Sequence, residues 1–165
     1  MHSAYRIRDG VQIIRNPMMW AQEQEYTGDR TGLNDEQIRM KGRMNAYNKR
    51  FTTLTEVREK LLVDIIEAEV LWGVKIRELI YDLFLHLRQL EIAVEDDFRF
   101  QTLTDYQRRT DSHYQVRSRQ IPEILYSMQG GMMMVEPHAD DKYANELKKK
   151  IDSIGEYLRG YIDFD

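Results

Sequence analysis

The sequence predicts an all-α protein: an elongated antiparallel helical bundle built on a long helical hairpin, with residues 1–165 forming a single domain. Three observations carry this reading. Apolar residues recur in alternating steps of four and three, the spacing of a helix face packed against other helices. Only three prolines and nine glycines interrupt 165 residues, which suits long regular elements. No stretch alternates apolar and polar residues in the two-residue period of a strand.

Along the chain, the elements follow from local signals. Asn16-Pro17 reads as a cap and first-turn proline, predicting a short helix through about Tyr26. "TGDRTG", from Thr27 to Gly32, is a loop. Asn34 with Gln37 three residues later forms a capping-box pattern and opens the first arm of the hairpin, which spans about 35–98. Met40, Met44, Tyr47, Phe51 and Leu54 make one stripe on that arm, and Leu61, Ile65, Ala68 and Trp72 make the next. Arg58 interrupts them, leaving Val57 to fill the core position.

The second stripe ends at a phase slip. Ile76, Ile80, Leu83, Leu87, Leu90 and Val94 continue with the same steps, but Trp72 to Ile76 repeats a four after a four. Gly73 lies at the slip, and glycine is favoured where a helix ends in a left-handed turn. Trp72-Gly73 is therefore expected to form a structural corner; a continuous helix with a kink or stutter is the alternative. Leu79 and Phe84 widen the stripe beyond a two-helix seam. Past Phe98 the sequence turns polar, with a cap at Thr104. Pro122 is expected to restart a short helix that stops at Gly130-Gly131, and "MMMVEPHAD" to be a loop. Asp140 is expected to cap a last helix over about 141–162, with Leu147, Ile151, Ile154, Leu158 and Tyr161 on its face.

Composition narrows the function classes. Charged residues make up 32% and the mean hydropathy is -0.64, so a soluble protein is expected, and the lack of cysteine is compatible with a cytoplasmic one. Cysteine is absent, which removes thiolate chemistry, disulfides and cysteine-held zinc. A net charge of -4 argues against nucleic acid as a partner. Arg6, Arg8, Asp9 and Arg15 break any apolar leader at the start. Acidic and basic residues from Glu67 to Arg88 exclude a membrane span in the apolar stretch "EAEVLWGVKIRELIYDLFLHLRQLEI".

The segment from about Asn45 to Val94 resembles an uncharacterised bacterial helical-hairpin domain. The resemblance rests on a basic-aromatic entry (Tyr47, Lys49, Arg50, Phe51), an aromatic-Gly corner (Leu71-Trp72-Gly73) and an aliphatic helix spaced by acids. The helix after Asp140 also fits. Such domains often follow one or two membrane spans, so the resemblance implies a membrane-associated setting, although this chain shows no span. It implies no catalytic residue.

Chemistry-bearing residues are sparse. None of His2, His86, His113 or His138 follows a glutamate by three positions, so a di-iron bundle pattern is missing. Asp82 and His86 lie one turn apart; they read first as a flank pair and second as half of a metal or acid-base site. No serine sits in a nucleophile elbow, and Gly130-Gly131 lacks the lysine of a phosphate loop. No catalytic, cofactor-binding or metal-ligating residue is assigned, and no cofactor is expected.

What remains is surface. Residues 1–60 hold eleven Lys and Arg against eight Asp and Glu, whereas 61–100 hold four against nine. Arg39, Lys41, Arg43, Lys49 and Arg50 gather at the basic end, either attracting the acidic helix or offering an anionic partner a surface. Met132, Met133 and Met134 form an adaptable apolar cluster that covers the bundle end or binds a partner. Met18, Met19 and Trp20 beside Arg6, Arg8 and Arg15 suit peripheral membrane contact; packing on the bundle is the plainer account. A homodimer is expected through the Met40 and Met44 end of the long helix. The expected function is a non-enzymatic helical interaction or assembly module, the soluble part of a membrane-associated bacterial system. The alternative is a metal- or ligand-binding helical-bundle enzyme using Asp82 and His86.

Overall fold

The computed structural model describes residues 2–16, 18–125 and 141–162. Six helices and no strand occur among them: α1 (His2–Arg15), α2 (Asp35–Trp72), α3 (Val74–Gln101), α4 (Asp105–Thr110), α5 (Ser112–Leu125) and α6 (Lys142–Ile162). The all-α bundle is as the periodicity predicts.

α2 is the longest element, 38 residues, or about 57 Å at 1.5 Å per residue. Its start is the expected capping box: Asn34 Oδ1 accepts from the Gln37 amide at 2.8 Å, and Gln37 Oε1 accepts from the Asn34 amide at 3.0 Å. Val57 does fill the core position, while Arg58 turns aside to pair with Glu91 of α3 at 2.9 Å.

At Gly73 the chain folds back into α3. Gly73 has φ 79° and ψ 174°, a positive-φ region beyond the left-handed helical turn the sequence suggested. That region is open essentially to glycine alone, so the corner is a glycine site for a stronger reason than expected. The Gly73 amide still closes α2 by donating to the Glu69 carbonyl at 2.9 Å.

α3 is the central helix. Ile76, Ile80, Leu83, Leu87, Leu90 and Val94 are buried as one stripe. A neighbouring four-three stripe carries Asp82, His86, Ala93, Asp96 and Phe100, and two helices cover it in succession. α6 lies over its first half, through Asp82–Lys150 and His86–Tyr143 contacts. α5 lies over its second half, through Asp96–Arg117 and Phe100–Tyr114. Both run antiparallel to α3. Tyr157 of α6 donates to the Trp72 carbonyl at 2.6 Å, tying the far end of α6 to the corner.

Three local expectations are corrected. The N-terminal helix precedes Asn16 rather than following it: α1 ends at Arg15, and the described residues of 18–26 form turns. The residue before a proline is disfavoured in helical geometry, so the helix stops there. Asn16 Oδ1 instead accepts from the Met18 amide at 2.9 Å, a turn bond. Pro17 itself lies outside the described residues. The buried set Ala4, Ile7, Val11 and Ile14 steps by three, four and three, a helix signal present in the sequence.

Pro122 stands inside α5 rather than at its start. Asp111 ends α4 and opens α5, its carboxylate accepting from the Tyr114 amide at 3.0 Å. Within the helix the proline leaves the Ser118 carbonyl without its i→i−4 donor, a loss that a first-turn proline does not incur. For α6, Asp141 supplies the cap, accepting from the Ala144 amide at 3.0 Å. Asp140 lies outside the described residues, as do Gly130-Gly131 and the methionine cluster. Thr104 caps α4 as expected, in a second capping box with Gln107.

Candidate functional site

The ionisable side chains that reach the interior are held in paired sets, although Nη2 of Arg117, buried beside Asp96, has no hydrogen-bond partner among the described residues. Arg15, at the end of α1 and 4% exposed, is the densest of these. Its guanidinium meets both carboxylate oxygens of Asp141 at 2.9 and 3.0 Å. Its Nε donates to the Ile124 carbonyl at 2.6 Å, and the group lies 5.1 Å from the Tyr143 ring centre. One side chain thereby joins the end of α1, the end of α5 and the cap of α6.

Arg50 performs a similar task on α2. It is 6% exposed and donates to the carbonyls of Ile13, Asn16 and Met18 at 2.8 Å each. It also takes both carboxylate oxygens of Glu23, at 3.0 and 2.8 Å, which holds that carboxyl below its ordinary range. Arg50 therefore leaves the exposed basic cluster that the sequence suggested: its donors bind the loop between α1 and α2. The other four lie in the first part of α2, each in its own surroundings. Arg39 is exposed, Lys41 lies over the Tyr26 ring, Arg43 reaches Asp97 at 3.7 Å, and Lys49 donates to the Gln22 carbonyl at 3.1 Å. Arg43–Asp97 and Arg58–Glu91 bridge the hairpin arms, so basic residues of α2 attract the acidic helix α3.

The same loop closes over the start of α2. Asn45 donates to the Glu25 carbonyl at 2.8 Å, and Gly42 passes so near the Gln24 carbonyl that a Cβ there would overlap it. Met40 is partly buried against the core. At the end of α2 the loop thus covers part of the surface beside Met40, while Met44 stays 40% exposed.

Asp82 and His86 both face α6, and each is engaged. Asp82 pairs with Lys150. His86, 2% exposed, stacks on the Tyr143 ring with centres 4.1 Å apart. Its Nε2 lies 3.0 Å from the Tyr143 carbonyl, which can only accept, so Nε2 carries the proton. Tyr143 returns a bond from its hydroxyl to the His86 carbonyl at 3.0 Å. Burial lowers the His86 pKa and raises that of Tyr143. This reciprocal pair clamps α3 to α6. Among the described residues no group of three His, Asp or Glu side chains converges on a common point.

The hairpin also carries an open apolar face. On α2, Leu62, Val63, Ile66 and Val70 are exposed, Val70 at 82%. On α3, Val74, Tyr81 and Leu85 are exposed and Phe84 is half-buried. Each set keeps four-three spacing, offset from the buried stripe of its own helix. The ion pairs Glu69–Arg77 and Arg58–Glu91 lie along the hairpin seam, between the buried stripes and these exposed ones. The face therefore lies opposite the covering helices α1, α5 and α6. Its signal was in the sequence, because the stretch after Glu67 carries more apolar residues than one core stripe uses.

Compared with protein-family models, curated proteins and solved structures, the chain matches none. Among the described residues no helix is long and apolar enough to cross a membrane.

Proposed function

We propose that the chain is a non-enzymatic helical interaction and assembly module. The observation that carries this is the open face of the hairpin, where Leu62, Val63, Ile66, Val70, Val74, Tyr81 and Leu85 meet solvent in two adjoining stripes. A contiguous apolar face of this kind is characteristic of surfaces that bind a partner. Support also comes from the interior, where Arg15, Arg50, His86 and Asp96 are spent on holding helices together. The resemblance of residues 45–94 to a hairpin domain found behind membrane spans adds a membrane-associated bacterial setting to this reading.

A photo-cross-linking amino acid placed at Val70 in the native host tests it. A defined adduct from Val70, missing from the exposed control position Lys149, is the expected result. Equal labelling from both positions would remove the support. Stoichiometric metal in the purified protein would instead favour the enzyme built on Asp82 and His86.

A second reading concerns the N-terminal segment. Met19 packs against the core, whereas Met18 and Trp20, 69% and 77% exposed, do not. Together with Arg6 and Arg8 they form an apolar and cationic segment suited to an anionic bilayer surface. Arg15 is excluded from it by its burial. Co-sedimentation with anionic vesicles, weakening as salt rises and shifting Trp20 fluorescence, is expected; no binding at low salt would end this reading.

A further inference from the structure

We propose that the open face of the hairpin is the interface of a homodimer, formed with a second copy of this chain about a two-fold axis parallel to α2 and α3. The proposal rests on the reading of the chain as an interaction module, and names its partner. Three properties of the face point to a second copy.

Size is the first. The exposed residues of the two stripes present on the order of 800 Å², about what each partner contributes to a standard interface. That is also above the apolar patch usual on a monomer.

Register is the second. The Glu69–Arg77 and Arg58–Glu91 pairs fix how the arms lie beside each other. They put Ile66 level with Tyr81, Leu62 level with Leu85, and Glu59 level with Arg88. A two-fold axis along the hairpin sets α2 of one copy opposite α3 of the other at these same levels. Ile66 then meets Tyr81 of the second copy, and Leu62 meets Leu85. The four helices form a bundle in which every neighbour is antiparallel, the up-and-down arrangement.

Charge is the third. The same axis sets Glu59 against Arg88 of the second copy; both are exposed, and Arg88, held toward Glu91 and Glu95 of its own helix at 2.7 and 3.6 Å, would add Glu59 as a further partner. Glu56, Glu67 and Glu78 border the face together with Lys60, Arg77 and Arg88, so its rim is of mixed charge, as at a protein contact, and not the cationic rim that an anionic bilayer attracts. The face thus favours a copy of itself over a membrane.

Sedimentation or light scattering from low to high micromolar concentration tests the proposal. The wild type is expected at twice the 19.8 kDa chain mass. Ile66→Glu with Val70→Glu should give the chain mass with unchanged helical circular dichroism, since both side chains are exposed. Glu59→Arg should weaken dimerisation at least tenfold, and Arg88→Glu in the same chain should restore it. A dimer that survives the paired glutamates, or a charge swap that fails to restore association, overturns the assignment. So does a monomeric wild type; a Val70-specific adduct in the host would then still leave the broader interaction reading standing.

Discussion

Arg15 and Asp141, 126 positions apart in the chain, meet as a buried two-point ion pair with oxygen distances of 2.9 and 3.0 Å. The same Asp141 carboxylate caps α6, so one acid answers both a helix terminus and a guanidinium. Removing one member of a buried pair leaves the other charged and desolvated, which typically costs about 3–5 kcal/mol. Arg15→Ala is expected to fall in that range by urea denaturation. Arg15→Met combined with Asp141→Asn should cost less than the two single changes added, because asparagine still caps and no lone charge remains. Simple additivity would show that the two residues act independently.

Gly73 is the position where backbone conformation decides the fold of the hairpin. A Cβ there would meet only the Tyr157 hydroxyl at an ordinary 3.9 Å, so space is not the constraint. Positive φ with extended ψ is, and Gly73→Ala is expected to destabilise by about 1–3 kcal/mol. At this chain length that lowers the melting midpoint by several degrees. A raised midpoint would mean that the two helices run on as one.

His86 gives stability a pH dependence. Its pKa is lowered from the ordinary 6.5, first by burial, against the opposing pull of the Tyr143 carbonyl and Glu146. A lowered value in the folded state means the unfolded chain binds the proton more readily. This contribution is fully present above about pH 6.5 and is lost as pH falls from there toward the folded value. His86→Gln keeps a donor for the Tyr143 carbonyl but does not titrate. Stability of the wild type should therefore fall more steeply than that of the variant between about pH 7 and 5.5. Parallel curves would show that His86 is not held neutral.

Arg50 and Arg39 look alike as basic residues of one helix, yet their substitution should differ sharply. Arg39→Ala, at an exposed site, should change stability by no more than about 0.5 kcal/mol. Arg50→Ala strips partners from three carbonyls and from Glu23, so a loss several times larger is expected, with faster proteolysis across residues 18–30. Equal effects would contradict the role of Arg50 as the anchor of that loop.

The sequence by itself determined the helices whose signals are local. Asn34 with Gln37, Thr104 with Gln107, and the stripe from Ile76 to Val94 act within a few residues, so their outcome can be read without the rest of the chain. Gly73 belongs with them, because no other residue takes its backbone angles at low cost. Asn16-Pro17 carries a signal that serves either a helix start or a turn, and the three-four-three spacing of Ala4, Ile7, Val11 and Ile14 before it is the sequence signal that favours the turn. Tertiary structure alone decided the fate of the charges. Arg15, Arg50 and Arg39 are chemically the same side chain, and burial distinguishes them only when distant carbonyls and carboxylates arrive to compensate the desolvated charge. It likewise decided which apolar stripe of the hairpin became core: α1, α5 and α6 cover one side of α2 and α3, and the other stripe is left to solvent because no described helix of this chain lies over it.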